Sequence, residues 1–133
     1  MARGDGAFSE HVKQLIRSRA RGKCEACGLP LMAGAQYHHR KPRRMGGTSD
    51  KRVASAANGV MLHPACHERI EKDRSRAYEN GWLLYPAEWP EEVPVKFWSG
   101  WVLLTGSTAT PTSPPPPGGR HASDRPNSVS GGP

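Results

Sequence analysis

The chain is poor in the features that would place it outside a cell or in a bilayer. Of its 133 residues only three are cysteine, Cys24, Cys27 and Cys66, and an odd count with no secretory leader argues against a disulfide scaffold. The opening MARGDGAFSEHVKQ has no apolar stretch, and no window approaches the roughly 18 apolar residues of a membrane span. No membrane partner is therefore expected, and a reducing cytoplasm is the expected compartment. Large apolar residues almost vanish after Leu104, where TGSTATPTSPPPPGGRHASDRPNSVSGGP cannot repay the entropy of ordering. Residues 1–104 are thus expected to fold as one domain, and residues 105–133 to form a disordered Pro/Gly/Ser-rich tail. A core drawn from about 100 residues is only modestly stable, and small domains often gain stability from a bound metal.

Acidic residues are scarce in the first part of the chain. Met1 to Arg52 carries twelve Lys/Arg against four acids, whereas Glu68 to Glu92 carries four against seven. The positive charge gathers around the stretch QYHHRKPRRMGG, where His38 and His39 precede Arg40, Lys41, Arg43 and Arg44. Pro42 lacks a backbone donor and pushes Lys41 toward extended geometry, so the stretch reads as a strand end entering a loop. Imidazoles and cations gathered there favour a polyanion such as nucleic acid.

Phe8, Val12, Leu15 and Ile16 recur at helical spacing, which predicts an amphipathic helix over 7–20 that stops at Gly22. A strand through Tyr37 to His39, a long loop over 43–57, a strand at 59–62 and a helix from Ala65 to about Lys72 follow, with Asp73 or Ser75 capping another helical turn. Residues 82–85, 95–98 and 101–104 read as strands, the last two joined by a tight turn at Ser99-Gly100.

Cys24-x-x-Cys27 is half of a zinc site, and His63-x-x-Cys66 supplies the other half. Two thiolates on a turn with an imidazole and a thiolate at a strand-to-helix junction make a closed tetrahedral site, the structural kind. His67 follows Cys66 at once, so on a helix it points about 100° away from that ligand, and Glu71 lies one turn further on the same face. With His38 they could hold a second, open metal position of the kind that catalyses.

His39-x-x-Pro42, Gly46-Gly47 and Asn58, in that order between the CxxC and HPAC segments, with His67 directly after HPAC, resemble the HNH endonuclease family. The resemblance runs from about Arg17 to Glu71, and the later GWLL and VLL segments are similar to phage-encoded HNH proteins found beside terminase genes. It implies an α+β fold: a ββα-metal core over about 17–72 with a structural zinc, an N-terminal helix, a C-terminal strand hairpin and the tail. It also implies DNA phosphodiester hydrolysis, with His39 as general base, His38 and His67 as ligands of a catalytic Mg²⁺, Mn²⁺ or Ni²⁺, and Asn58 holding the loop and base in geometry. Glu71 falls where some members carry a further histidine ligand, and His63 stands where cysteine is common. Arg40, Lys41, Arg43 and Arg44 would grip the DNA backbone without reading sequence. A bacterial host cytoplasm, phage DNA processing or packaging, a terminase large subunit as partner and a monomeric chain complete the expectation. A zinc-stapled DNA-binding module without catalysis is the alternative.

Overall fold

The computed structural model describes residues 7–42, 50–116 and Arg120. They form a small α+β protein with two antiparallel sheets, one of two strands and one of three. Among the described residues no helix is long and apolar enough to cross a membrane.

Helix α1 spans Glu10–Ala20. It starts three residues later than the periodicity predicts, because Ser9 is the N-cap and its hydroxyl accepts from the Val12 N–H at 3.1 Å. Arg21 ends the helix in a left-handed conformation (φ 54°) while its N–H still bonds the Arg17 carbonyl. The helix lays Ile16 and Ala20, preceded by Phe8, against Ala56 and Met61. Close approach needs Gly59, where a Cβ would collide with Ile16 and Phe8.

Strands β1 (Gln36–His39) and β2 (Gly59–Leu62) pair antiparallel, with His38 opposite Val60 and His39 opposite Gly59. All of β2 is buried. Helix α2 (Pro64–Lys72) leaves β2 directly, with His63 as N-cap and Pro64 in its first turn, where a missing N–H costs nothing. Asp73 then caps α3 (Arg74–Glu79), its carboxylate accepting from the Arg76 N–H at 3.1 Å. The loop expected over 43–57 closes in a 3₁₀ turn at Ala56–Asn58; the expected Gly46-Gly47 approach lies outside the described residues.

The second sheet is β3 (Val95–Phe97), β4 (Gly100–Thr105) and β5 (Thr108–Pro111) in sequence order. Three expectations are corrected here. Residues 82–85 are not a strand: the N–H groups of Trp82 and Leu83 bond the Ala77 carbonyl and that of Leu84 bonds the Arg40 carbonyl, so no partner strand is needed. The β3–β4 turn is Trp98-Ser99, since Phe97 pairs with Gly100. The domain also continues past Leu104, because Gly106-Ser107 turns the chain and β5 pairs Thr108 with Thr105. An edge strand takes its stability from backbone pairing and β-branched residues, so it forms without large apolar side chains. Arg120 is further tied to Glu88 by two bonds of 2.6 and 2.7 Å and to the Leu83 carbonyl at 3.1 Å. The rest of the expected tail, residues 117–119 and 121–133, lies outside the described residues.

The main core gathers Val60, Leu62, Ile70, Leu83, Val95, Phe97 and Leu104 around Cys24 and Cys66. A buried ion pair links this core to α1: Arg19 holds Glu25 by two bonds of 2.8 Å and also donates to the carbonyls of Ala56 and Gly59. Glu25 accepts from the Met61 N–H at 2.9 Å, so both charges are hydrogen-bonded as well as paired.

Candidate metal centre and histidine pair

Cys24, Cys27, His63 and Cys66 come together, with their ligand atoms all within 4.8 Å of one another. Two of the six edges of this cluster have a length that suits zinc. A tetrahedron with Zn–S of about 2.3 Å has edges of about 3.8 Å, and Cys24 Sγ lies 3.7 Å from Cys66 Sγ while Cys27 Sγ lies 3.4 Å from His63 Nδ1. The other His63 nitrogen, Nε2, donates to the Pro30 carbonyl at 2.8 Å, which leaves Nδ1 bearing the lone pair a metal requires. The CxxC turn is built by its own backbone: Gly28 N–H bonds the Cys24 carbonyl at 2.8 Å, with Gly28 at φ 81°.

Charge in the cluster also fits a cation. Burial pushes the Cys66 thiol up to about 12, helped by its hydrogen bond to Cys24 and the neighbouring sulfurs. Burial also acts upward on Cys24, but backbone hydrogen bonds from His63, Cys27 and Ala26 outweigh it and hold that thiol below its ordinary value. Several thiolates side by side repel one another until a divalent ion offsets them. The four residues can hold a structural zinc.

On the other flank of α2, His38 and His67 face each other with ring centroids 5.1 Å apart. His38 is buried, and its Nε2–H donates to the Trp82 carbonyl at 2.8 Å, which leaves Nδ1 as the nitrogen with the lone pair. Burial lowers its pKa to about 4, so the ring is neutral at neutral pH. His67 Nδ1–H donates to Gln36 Oε1 at 2.7 Å, and its Nε2 lies 3.9 Å from Glu71 Oε2. Glu71 is exposed and also bonds Arg74 at 3.0 Å. No family model matches this chain, and no curated protein or solved structure shows a significant match. Among the described residues, the Cys/His cluster is the only group of three or more ligands converging on a metal position.

His39 is not brought to the face that carries His38 and His67. Adjacent strand residues point to opposite faces, and the His39 ring stacks on Phe8 of the α1 side at 4.0 Å and 6°. Asn58 is fully buried and ties down both ends of the loop: its Oδ1 accepts from the Lys41 N–H at 2.7 Å, and its Nδ2 donates to the carbonyls of Lys41 (3.1 Å) and Val53 (2.9 Å).

The expected DNA grip is corrected at two of its four residues. Arg40 is completely buried and donates to the carbonyls of Gly81, Ala57, Pro90 and Val93 at 2.8 to 3.0 Å. Burial lowers its pKa to about 9, which still leaves it charged at neutral pH. Lys41 is buried as well, its ammonium bonded to the Pro86 carbonyl and 3.7 Å from Asp50. Both cations are committed to holding residues 81–93 against the first sheet and cannot reach a phosphate there. Arg43 and Arg44 lie outside the described residues.

Residue spacing did not single out Gln36, although it lies two positions before His38 and therefore on the same strand face. Period-two alternation would have found it. The carbonyls of Pro30 and Trp82, which set the tautomers of His63 and His38, carry no side-chain signal at all.

Proposed function

We propose that this protein is a metal-dependent DNA endonuclease of the HNH type, in which a zinc-stapled ββα unit presents His38 and His67 to a phosphodiester. The observation that carries this reading is the His38–His67 pair. Two imidazoles from β1 and α2 meet at 5.1 Å, and each has one nitrogen occupied by a hydrogen bond that leaves the other as a lone pair. With Glu71 beside it, that donor set suits a divalent metal with open positions, which would supply charge neutralisation on a phosphate oxygen. The sequence resemblance alone gives His39 the role of taking the proton of the attacking water, since its ring lies on the opposite strand face, stacked on Phe8. Asn58 would keep the loop after His39 in register through its three backbone contacts. Action in phage DNA processing beside a terminase large subunit belongs to the same proposal and rests on the sequence resemblance alone.

Plasmid nicking by the zinc-loaded protein, with Mg²⁺, Mn²⁺, Ni²⁺ or no added metal and with or without a terminase large subunit, tests the reading. Cleavage is expected to need added metal and to disappear in His39→Ala and His67→Ala, with zinc content and circular dichroism unchanged. Undiminished cutting by His39→Ala, in a preparation free of host nuclease, would remove His39 as the base. A second reading, a DNA-binding module without catalysis, draws on the closed Cys/His cluster being the only converging ligand set among the described residues. Tight DNA binding with no cleavage under any of these conditions would favour it.

A further inference from the structure

Helix α2 has two functional flanks. At 100° per residue, with Cys66 and Ile70 facing the core, His67 and Glu71 fall on one side of the buried stripe and Arg69 and Lys72 on the other. That second side borders a groove of about 610 Å³ whose lining includes Arg69, Lys72, Arg76, Lys96, Trp82 and Trp98. All four cations are exposed. Two nearby acids pair with two of these four cations: Asp73, which caps α3, lies 3.7 Å from Arg76, and Glu68 lies 3.7 Å from Lys72. The groove therefore keeps an excess of positive charge, away from the His38–His67 pair.

Trp98 is the unusual member. It is 52% exposed in the two-residue turn between β3 and β4, a place that asks for small or polar residues. Its ring is not loose, because it lies on the zinc turn: a Cβ at Gly28 would come 2.8 Å from Trp98 Cγ. The Trp98 N–H bonds the Glu25 carbonyl at 3.0 Å, and the Lys23 ammonium sits 4.8 Å from the ring centroid. A rigid exposed indole beside a row of cations is the arrangement that receives an unpaired base and its phosphates.

We propose that this groove binds single-stranded DNA, with one base stacked on Trp98 and the flanking phosphates on Arg69, Lys72, Arg76 and Lys96. The charge and the aromatic platform argue for a single strand independently of the nuclease reading; only the choice of DNA over RNA rests on it.

Fluorescence anisotropy tests this with the zinc-loaded full chain, in the absence of any other divalent metal, so that binding is read whether or not the protein cleaves. Labelled oligothymidylate, oligouridylate and a mixed-sequence duplex are the probes. Trp98→Ala is expected to weaken oligothymidylate binding about 5- to 150-fold, the range for losing one stacked base, while Trp98→Phe retains most of it and duplex binding changes little. Lys72→Glu and Lys96→Glu, neither of them a metal ligand, are expected to weaken binding and flatten its salt dependence. Zinc content and circular dichroism separate these effects from loosening of the zinc turn. Parental affinity in both Trp98→Ala and Lys96→Glu would overturn the proposal; an equal loss on duplex would overturn the stacked base, and tighter oligouridylate binding the choice of DNA.

Discussion

The two sites flanking α2 are built from similar residues and differ in closure. At the Cys24/Cys27/His63/Cys66 cluster four ligand atoms lie within 4.8 Å of one another, each held by a turn, a helix start or a backbone hydrogen bond. At the histidine pair, two rings meet at 5.1 Å and their other nitrogens are spoken for by Trp82 and Gln36. A closed ligand set shapes a metal that holds the fold. An open pair leaves room for water and a substrate oxygen.

The largest expected effect separates the sites at once. Stripping zinc, or Cys24→Ala, is expected to remove on the order of 10 kcal/mol of binding free energy and unfold the chain, seen as loss of far-ultraviolet circular dichroism. A chain that kept its fold without zinc would make the cluster an accessory. Arg40→Met comes next. It leaves four buried carbonyls without their donor and is expected to cost about 3 to 5 kcal/mol in urea unfolding of the zinc-loaded protein, at roughly 1 kcal/mol per lost bond. Unchanged stability would return Arg40 to the list of free cations.

His38 ties stability to pH. The unfolded chain takes up this proton near 6.5 and the folded chain only near 4, so the unfolded state binds more protons between these values. Stability is full above about 6.5 and falls by up to about 3 kcal/mol as pH drops toward 4. Comparing His38→Gln with the parent across that window isolates this loss from protonation of the zinc ligands; equal slopes would show that the ring is not buried neutral. The smallest effect sharpens the contrast: His67→Ala should cost less than about 1 kcal/mol, since the ring is partly exposed, yet abolish Mn²⁺ binding beyond the tightly held zinc in isothermal titration.

Much of this molecule was legible residue by residue. The zinc ligands follow from CxxC and HxxC spacing, β1, β2 and α2 from short apolar runs and Pro64, and the opposite orientations of His38 and His39 from strand alternation, because each depends on neighbours a few positions away. The strand expected at 82–85 failed for the opposite reason. Leu83, Leu84 and Tyr85 are buried, but the backbone N–H groups of Trp82, Leu83 and Leu84 bond α3 and Arg40, and no local pattern distinguishes that partner from another strand. Strand β5 was hidden by composition, although Gly106-Ser107 between Thr105 and Thr108 is a hairpin signal.

The sequence by itself determined which atoms can bind a metal and how the ββα elements run. Only the tertiary structure decided which cations stay exposed. Arg40 and Lys41 look free in the linear sequence, and Arg69, Lys72, Arg76 and Lys96 look scattered. Residues 81–93 return over the first pair and bury it, while the β3–β4 turn brings Trp98 beside the second group. Burial is a property of what the distant chain covers, and residue type alone does not carry it.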